Sequence, residues 1–111
     1  MAPMGDGNLM MKLILLAAGL LMGYSPVIAD ELKEYGQYLS GECTTCHQID
    51  GTYTEGIPPI NGLDSESFIM AMNSFKNGER DNPAMVSVAK NLDDEQLKAL
   101  AAYFGSLHPA E

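Results

Sequence analysis

Five consecutive residues, Cys43-Thr44-Thr45-Cys46-His47, carry the densest chemistry in this 111-residue chain. They include both cysteines and one of the two histidines. Two thiols one helical turn apart can add to two vinyl groups on neighbouring rings of a porphyrin. An imidazole directly after the second thiol can then reach the iron. The C-x-x-C-H spacing therefore points to one covalently attached haem, with Cys43 and Cys46 as thioethers and His47 as an axial ligand. Three other chemistries use similar residues. A thioredoxin-like dithiol expects a βαβ context, and no strand pattern occurs here. A structural disulfide leaves His47 without a role. A zinc site can be counted from Cys43, Cys46, His47 and His108, but adjacent Cys46 and His47 converge poorly on one small ion, and His108 sits in the terminal tail.

An iron held by one imidazole needs a second axial ligand or keeps an open position. The chain after the pair offers Met70, Met72, Met85 and His108. Met70 and Met72 fall on an expected helix, where Met is usually core filler. Met85 follows a polar loop and Pro83, so it can be carried to the haem face opposite His47. It is expected as the second metal ligand, because His/Met is the usual electron-transfer pair. An open-site haem sensor is the alternative.

Positioning such a group requires a small helical domain, and the composition allows one. The chain has 15 Asp+Glu against 6 Lys+Arg, a formal net charge of −9. That balance excludes nucleic acid as a partner, since phosphate contacts need clustered Lys/Arg. With 46% hydrophobic and 19% charged residues, the chain is not compositionally disordered. Two cysteines cannot make a multi-disulfide scaffold or a four-thiolate metal site.

Lys12 precedes an apolar run, Leu13–Met22, and Val27 and Ala29 stand at −3 and −1 of a cleavage site before Asp30. This is a secretory signal pattern over residues 1–29, leaving 30–111 as the folded domain. A membrane span needs about 20 apolar residues, and Pro26 interrupts any extension, so no anchor is expected after cleavage. Asp6 and the lack of a base in Met1–Leu9 leave the start open between Met1, Met10 and Met11. Export implies a periplasmic protein.

Four helical stretches are expected. Asp30–Glu42 has Leu32, Tyr35 and Leu39 on one face, with Gly36 able to admit a second helix closely. Gln48–Leu63 is loop, marked by Asp50-Gly51, Gly56, Pro58-Pro59 and Asn61-Gly62. Asp64–Asn77 is a helix with Asp64 as N-cap, Phe68, Ile69, Met72 and Phe75 on its buried face, and Gly78 as left-handed stop. Ala84–Lys90 is a short helical turn. Asp93–Leu107 is the strongest helix, with an Asp93/Gln96 capping box and Leu97, Leu100, Ala101, Phe104 and Leu107 on one face.

Taken together, the helix order, C-x-x-C-H, the Pro loop and the Met loop resemble a class I c-type cytochrome over nearly all of residues 30–111. That resemblance implies an all-α fold of three to four main helices and long loops around one haem. More narrowly, Ile57-Pro58-Pro59-Ile60-Asn61-Gly62, Phe75-Lys76-Asn77-Gly78-Glu79-Arg80 and Met85 through Phe104 are similar to the cytochrome subunits of flavocytochrome c sulfide dehydrogenases. Many of those subunits carry two haem domains; this chain has one C-x-x-C-H, with Gln48 where Gly often follows. The resemblance implies an electron-accepting subunit, not catalytic alone, partnered by a sulfide-oxidising FAD flavoprotein; a free soluble shuttle to an oxidase is the alternative. It also implies that Pro58 or Pro59 lines the haem beside His47, its carbonyl accepting the His47 Nδ1–H. Arg80 would approach a haem propionate, and Gly36 and Leu39 would meet Leu100, Tyr103 or Phe104 where the terminal helices cross.

Overall fold

The computed structural model describes residues Ser25–Pro109. Five helices lie in this span: α1 Ser25–Leu39, α2 Gly41–Thr44, α3 Ser65–Lys76, α4 Pro83–Lys90 and α5 Asp94–Gly105. Among the described residues there is no strand, only an isolated bridge between Thr54 and Ile57. The apolar run Leu13–Met22 lies outside the described residues. None of the described helices is long and apolar enough to cross a membrane. The chain divides into two units, Met1–Asp30 and Glu31–Glu111.

Side-chain caps set three helix starts. Asp64, in extended conformation, accepts the Ser67 N–H at 3.0 Å and opens α3. Asn82 accepts the Met85 N–H at 3.1 Å and opens α4, with Pro83 in the first turn, where no N–H is needed. Asp93 and Gln96 form the reciprocal capping box of α5, at 2.8 and 2.9 Å. Gly78, at φ 84°, ends α3 in the left-handed region.

The N-terminal helix differs from its expected form in two ways. It is already helical at Ser25, ahead of Asp30, so the Ala29–Asp30 bond lies inside it. It also ends at Leu39, where the Ser40 hydroxyl donates to the Gln37 carbonyl at 2.7 Å. Its inward face is centred on buried Gly36 and Ser40, with Leu32 and Leu39 half-buried, whereas Tyr35 is 41% exposed. The cause is the crossing with α5. A Cβ at Gly36 would sit 2.7 Å from Tyr103 Cβ and against the Ala99 carbonyl. The bare backbone of Gly36 thus takes the place that an apolar side chain would fill. The helix expected over Asp93–Leu107 starts one residue later and stops at Gly105, leaving Leu107 half-buried beyond its end.

The core is built mainly from α3 and α5. Phe68, Met72 and Phe75 pack with Leu97, Leu100, Ala101, Tyr103 and Phe104, and α3 also packs on α4. Phe68 and Phe104 stack at 6.0 Å between centroids, and Tyr103 meets Phe104 edge-on at 5.2 Å. Ile69, expected inside, is half-buried. Leu39, Ile60, Leu63 and Met85 close the margin of this cluster.

Candidate functional site

The C-x-x-C-H stretch is wound as a helical turn. Cys43 N–H and Thr44 N–H donate to Ser40 O at 2.9 and 3.0 Å, and His47 N–H donates to Cys43 O at 2.8 Å. The Thr45 hydroxyl donates to Gly41 O at 3.0 Å, tying the turn back to α2. This winding puts the two thiols one turn apart. Both are free; Cys43 is buried and Cys46 exposed. Burial, with a smaller contribution from the Glu42 carboxylate, pushes the Cys43 thiol up to about 11. A thiol held neutral is a poor attacking group for dithiol exchange. Cys43 opens onto a cleft of about 490 Å³ whose apolar wall includes Leu39, Val88, Leu92 and Leu100.

His47 is 9% exposed, and its Nδ1 lies 2.7 Å from the Pro58 carbonyl oxygen. A carbonyl can only accept, so Nδ1 carries a proton, and in the neutral imidazole this leaves the lone pair on Nε2. Of the two prolines the sequence left open, Pro58 makes this bond; Pro59 is half-buried beside it. The free thiol pair and an imidazole with an available Nε2 are the donor set that covalent haem requires.

Met85 lies in the first turn of α4, half-buried against the core. The other candidate ligands are placed differently. Met72 is a buried core residue, Met70 is 63% exposed on the outer face of α3, and His108 is exposed in the tail. Arg80 is exposed, and its guanidinium lies 4.4 Å above the Phe75 ring centroid. Among the described residues, no group of three or more His, Cys, Asp or Glu is placed to hold a metal ion.

Asn61 is the residue that sequence reading missed. Asn61-Gly62 was legible as a turn signal and as part of the Ile57–Gly62 resemblance, with no role given to Asn61, yet the Asn61 Nδ2 donates to the Ile49 carbonyl. The neighbouring Gly62 N–H donates to Phe104 O at 2.8 Å. The one available clue was an amide side chain set in an otherwise apolar Pro58–Leu63 stretch.

Comparison with known proteins agrees with this geometry. The family model for cytochrome c matches residues 34–108. The chain is 35% identical over 82 residues to the cytochrome subunit of sulfide dehydrogenase of Chlorobaculum tepidum, covering 74% of each chain. It is 34% identical to the thiosulfate dehydrogenase electron acceptor of Stutzerimonas stutzeri, over 77% of this chain but 42% of that protein. It is 33% identical to cytochrome c-553 of Helicobacter pylori, over 87% of this chain and 99% of that protein. A five-helix, strand-free described region, a single C-x-x-C-H turn and a family match running from the last part of α1 through all of α5 lead to one conclusion: the chain belongs to the cytochrome c family, with a class I fold, one covalent haem c and a role in electron transfer.

Proposed function

We propose that this chain is the electron-accepting partner of a sulfide-oxidising FAD flavoprotein in a bacterial periplasm, exported by residues 1–29 as a cleaved signal. The observation that carries the haem-binding part of this reading is the His47 Nδ1–Pro58 O bond, which orients one imidazole directly after the thiol pair. In this reading Cys43 and Cys46 would tether the haem by thioethers, and His47 and Met85 would supply the protein ligands to its iron. Bound haem supplies a one-electron ferric/ferrous couple.

The chain's own residues tune that couple. Pro58 holds the proton on Nδ1, which fixes the tautomer and strengthens His47 as a donor. The Met85 thioether favours the ferrous state. Pro59 stiffens the same loop, and Arg80, held over Phe75, offers its guanidinium to a haem propionate. The sulfide dehydrogenase part of this reading is supported by the likeness to the cytochrome subunit of sulfide dehydrogenase over 74% of both chains. The acidic surface suits a basic docking face, which would speed encounter at low salt. A free shuttle is the second reading, favoured by the match that spans 99% of cytochrome c-553.

Met85→Ala tests the ligand set. The thioether-to-iron absorption band is lost and the reduction potential falls; an unchanged band removes Met85 from the metal. Purification of the exported protein tests the partner. A flavin-containing chain that co-purifies supports the dehydrogenase reading, and its absence, with intact electron transfer to an oxidase, supports the shuttle.

A further inference from the structure

The Asn61 carboxamide is an odd group to find where it is. Its Nδ2 donates to the Ile49 carbonyl, while its Oδ1 is buried with no hydrogen-bond partner. Leaving an amide oxygen unpaired out of water is unfavourable, and an apolar side chain at this place would avoid it. A buried polar atom without a partner in a native fold calls for a reason.

The bonds around it supply one. The segment that follows the thiol pair and the Pro58–Gly62 segment are joined by two rungs: His47 Nδ1 to Pro58 O at 2.7 Å, and Asn61 Nδ2 to Ile49 O. One residue further on, Gly62 N–H donates to Phe104 O at 2.8 Å, so the far end of the same segment is fixed to α5. Between Pro58 and Gly62 the chain has no helix or strand of its own to hold its shape. The Asn61–Ile49 bond therefore ties this loop, three residues after Pro58, to the chain two residues after His47.

We propose that Asn61 is a positioning residue for the metal ligand. It clamps the Pro58 loop to Ile49, keeps the Pro58 carbonyl on the His47 Nδ1–H, and so sets how strongly His47 donates. This inference rests on His47 being the axial ligand. The chemistry runs in one direction: a firmer Nδ1–H···O bond makes the imidazole a stronger donor and favours the ferric state. Releasing the loop loosens that bond and raises the potential.

The experiment uses the complete haem-loaded protein. Asn61→Ala removes the donor, Asn61→Gln keeps an amide donor on a longer arm, and Asn61→Ser keeps a small polar group with a shorter reach. Two quantities are read: the reduction potential, and the rate at which the His47 Nδ1 proton exchanges with solvent by proton NMR. Loss of one hydrogen bond predicts exchange faster by up to about tenfold. For Asn61→Ala the expected result is faster His47 exchange and a higher potential, while α3 and α5 backbone amides exchange as before and Asn61→Gln moves back toward the parent. If Asn61→Ala does not fold, Asn61→Ser is read the same way. Unchanged His47 exchange and potential overturn the proposal. So does uniform loosening of α3 and α5 amides with no excess at His47, which marks ordinary destabilisation. A parent protein that lacks a haem-sized mass increment after denaturation sinks the ligand assignment itself, and that outcome is distinct from a parent that is haem-bound with an inert Asn61.

Discussion

Gly36→Ala and Gly41→Ala are the same chemical change in two neighbouring helices, and the structure gives them opposite signs. In an open helix, replacing Gly by Ala stabilises by up to about 1 kcal/mol, because Gly loses more backbone freedom on folding. At Gly41 a Cβ meets nothing within 4 Å, so that gain is available. At Gly36 the new Cβ falls 2.6 Å from the Ala99 carbonyl carbon and 2.7 Å from Tyr103 Cβ, both closer than real Cβ atoms come. The obstacle is the backbone of α5, where Ala99 is fully buried, so no flexible side-chain end can move aside. The helices must separate, and overpacking of this kind costs about 1–3 kcal/mol, occasionally more. After the propensity gain is subtracted, a net loss of about 2 kcal/mol remains at the upper part of that range. For a domain of this size that is a fall in Tm of about 8–16 °C. Thermal unfolding of the haem-loaded proteins, followed by helical circular dichroism, reads it directly. Gly36→Ala is expected to melt well below the parent, and Gly41→Ala at or slightly above it. If Gly36→Ala melts with or above the parent, or if the two variants move together, the close crossing of α1 and α5 is refuted.

Two further outcomes follow from local chemistry. The Ser67 N–H holds the Asp64 carboxyl below the usual carboxylate range. A carboxyl lowered on folding adds stability that is complete above its unfolded value and disappears as the pH falls through its folded one. The stability difference between the parent and Asp64→Ala should therefore shrink as the pH is lowered through the acid range, and a difference that is constant with pH would contradict the cap. Haem removal is the larger perturbation. Among the described residues few large side chains are fully buried, Phe104, Leu97 and Leu100 being the largest, and a core this small stabilises weakly without a staple. The chain expressed as Cys43→Ala/Cys46→Ala is expected to lack native helical circular dichroism, and native-like helicity in that variant refutes this dependence.

Signals confined to a few adjacent residues were legible in the sequence. Asp64, the Asp93/Gln96 pair and Gly78 mark helix ends through bonds or backbone angles within one turn of themselves, and each stands where its pattern placed it. The C-x-x-C-H spacing is equally local, because one helical turn alone sets the separation of its thiols. Helical period also found most of the α3 and α5 core face. It failed for α1. Leu32, Tyr35 and Leu39 repeat correctly, but the partner helix approaches along Gly36 and leaves Tyr35 in solvent.

Only the folded chain decided the rest. Two adjacent prolines offer similar carbonyls in the sequence; the path of the loop past His47 presents Pro58. Arg80 stays exposed, yet its guanidinium lies over the Phe75 ring, a neighbour that its place in the sequence does not reveal. Asn61 read as half of a turn until Ile49, distant in the chain, came within reach of its amide. Sequence determines what a residue can do with its neighbours along the backbone, since bond geometry fixes those distances. Which carbonyl, ring or helix face it meets across a loop depends on how the whole chain closes, because that choice is made by packing and by hydrogen bonds between segments that the local pattern does not contain.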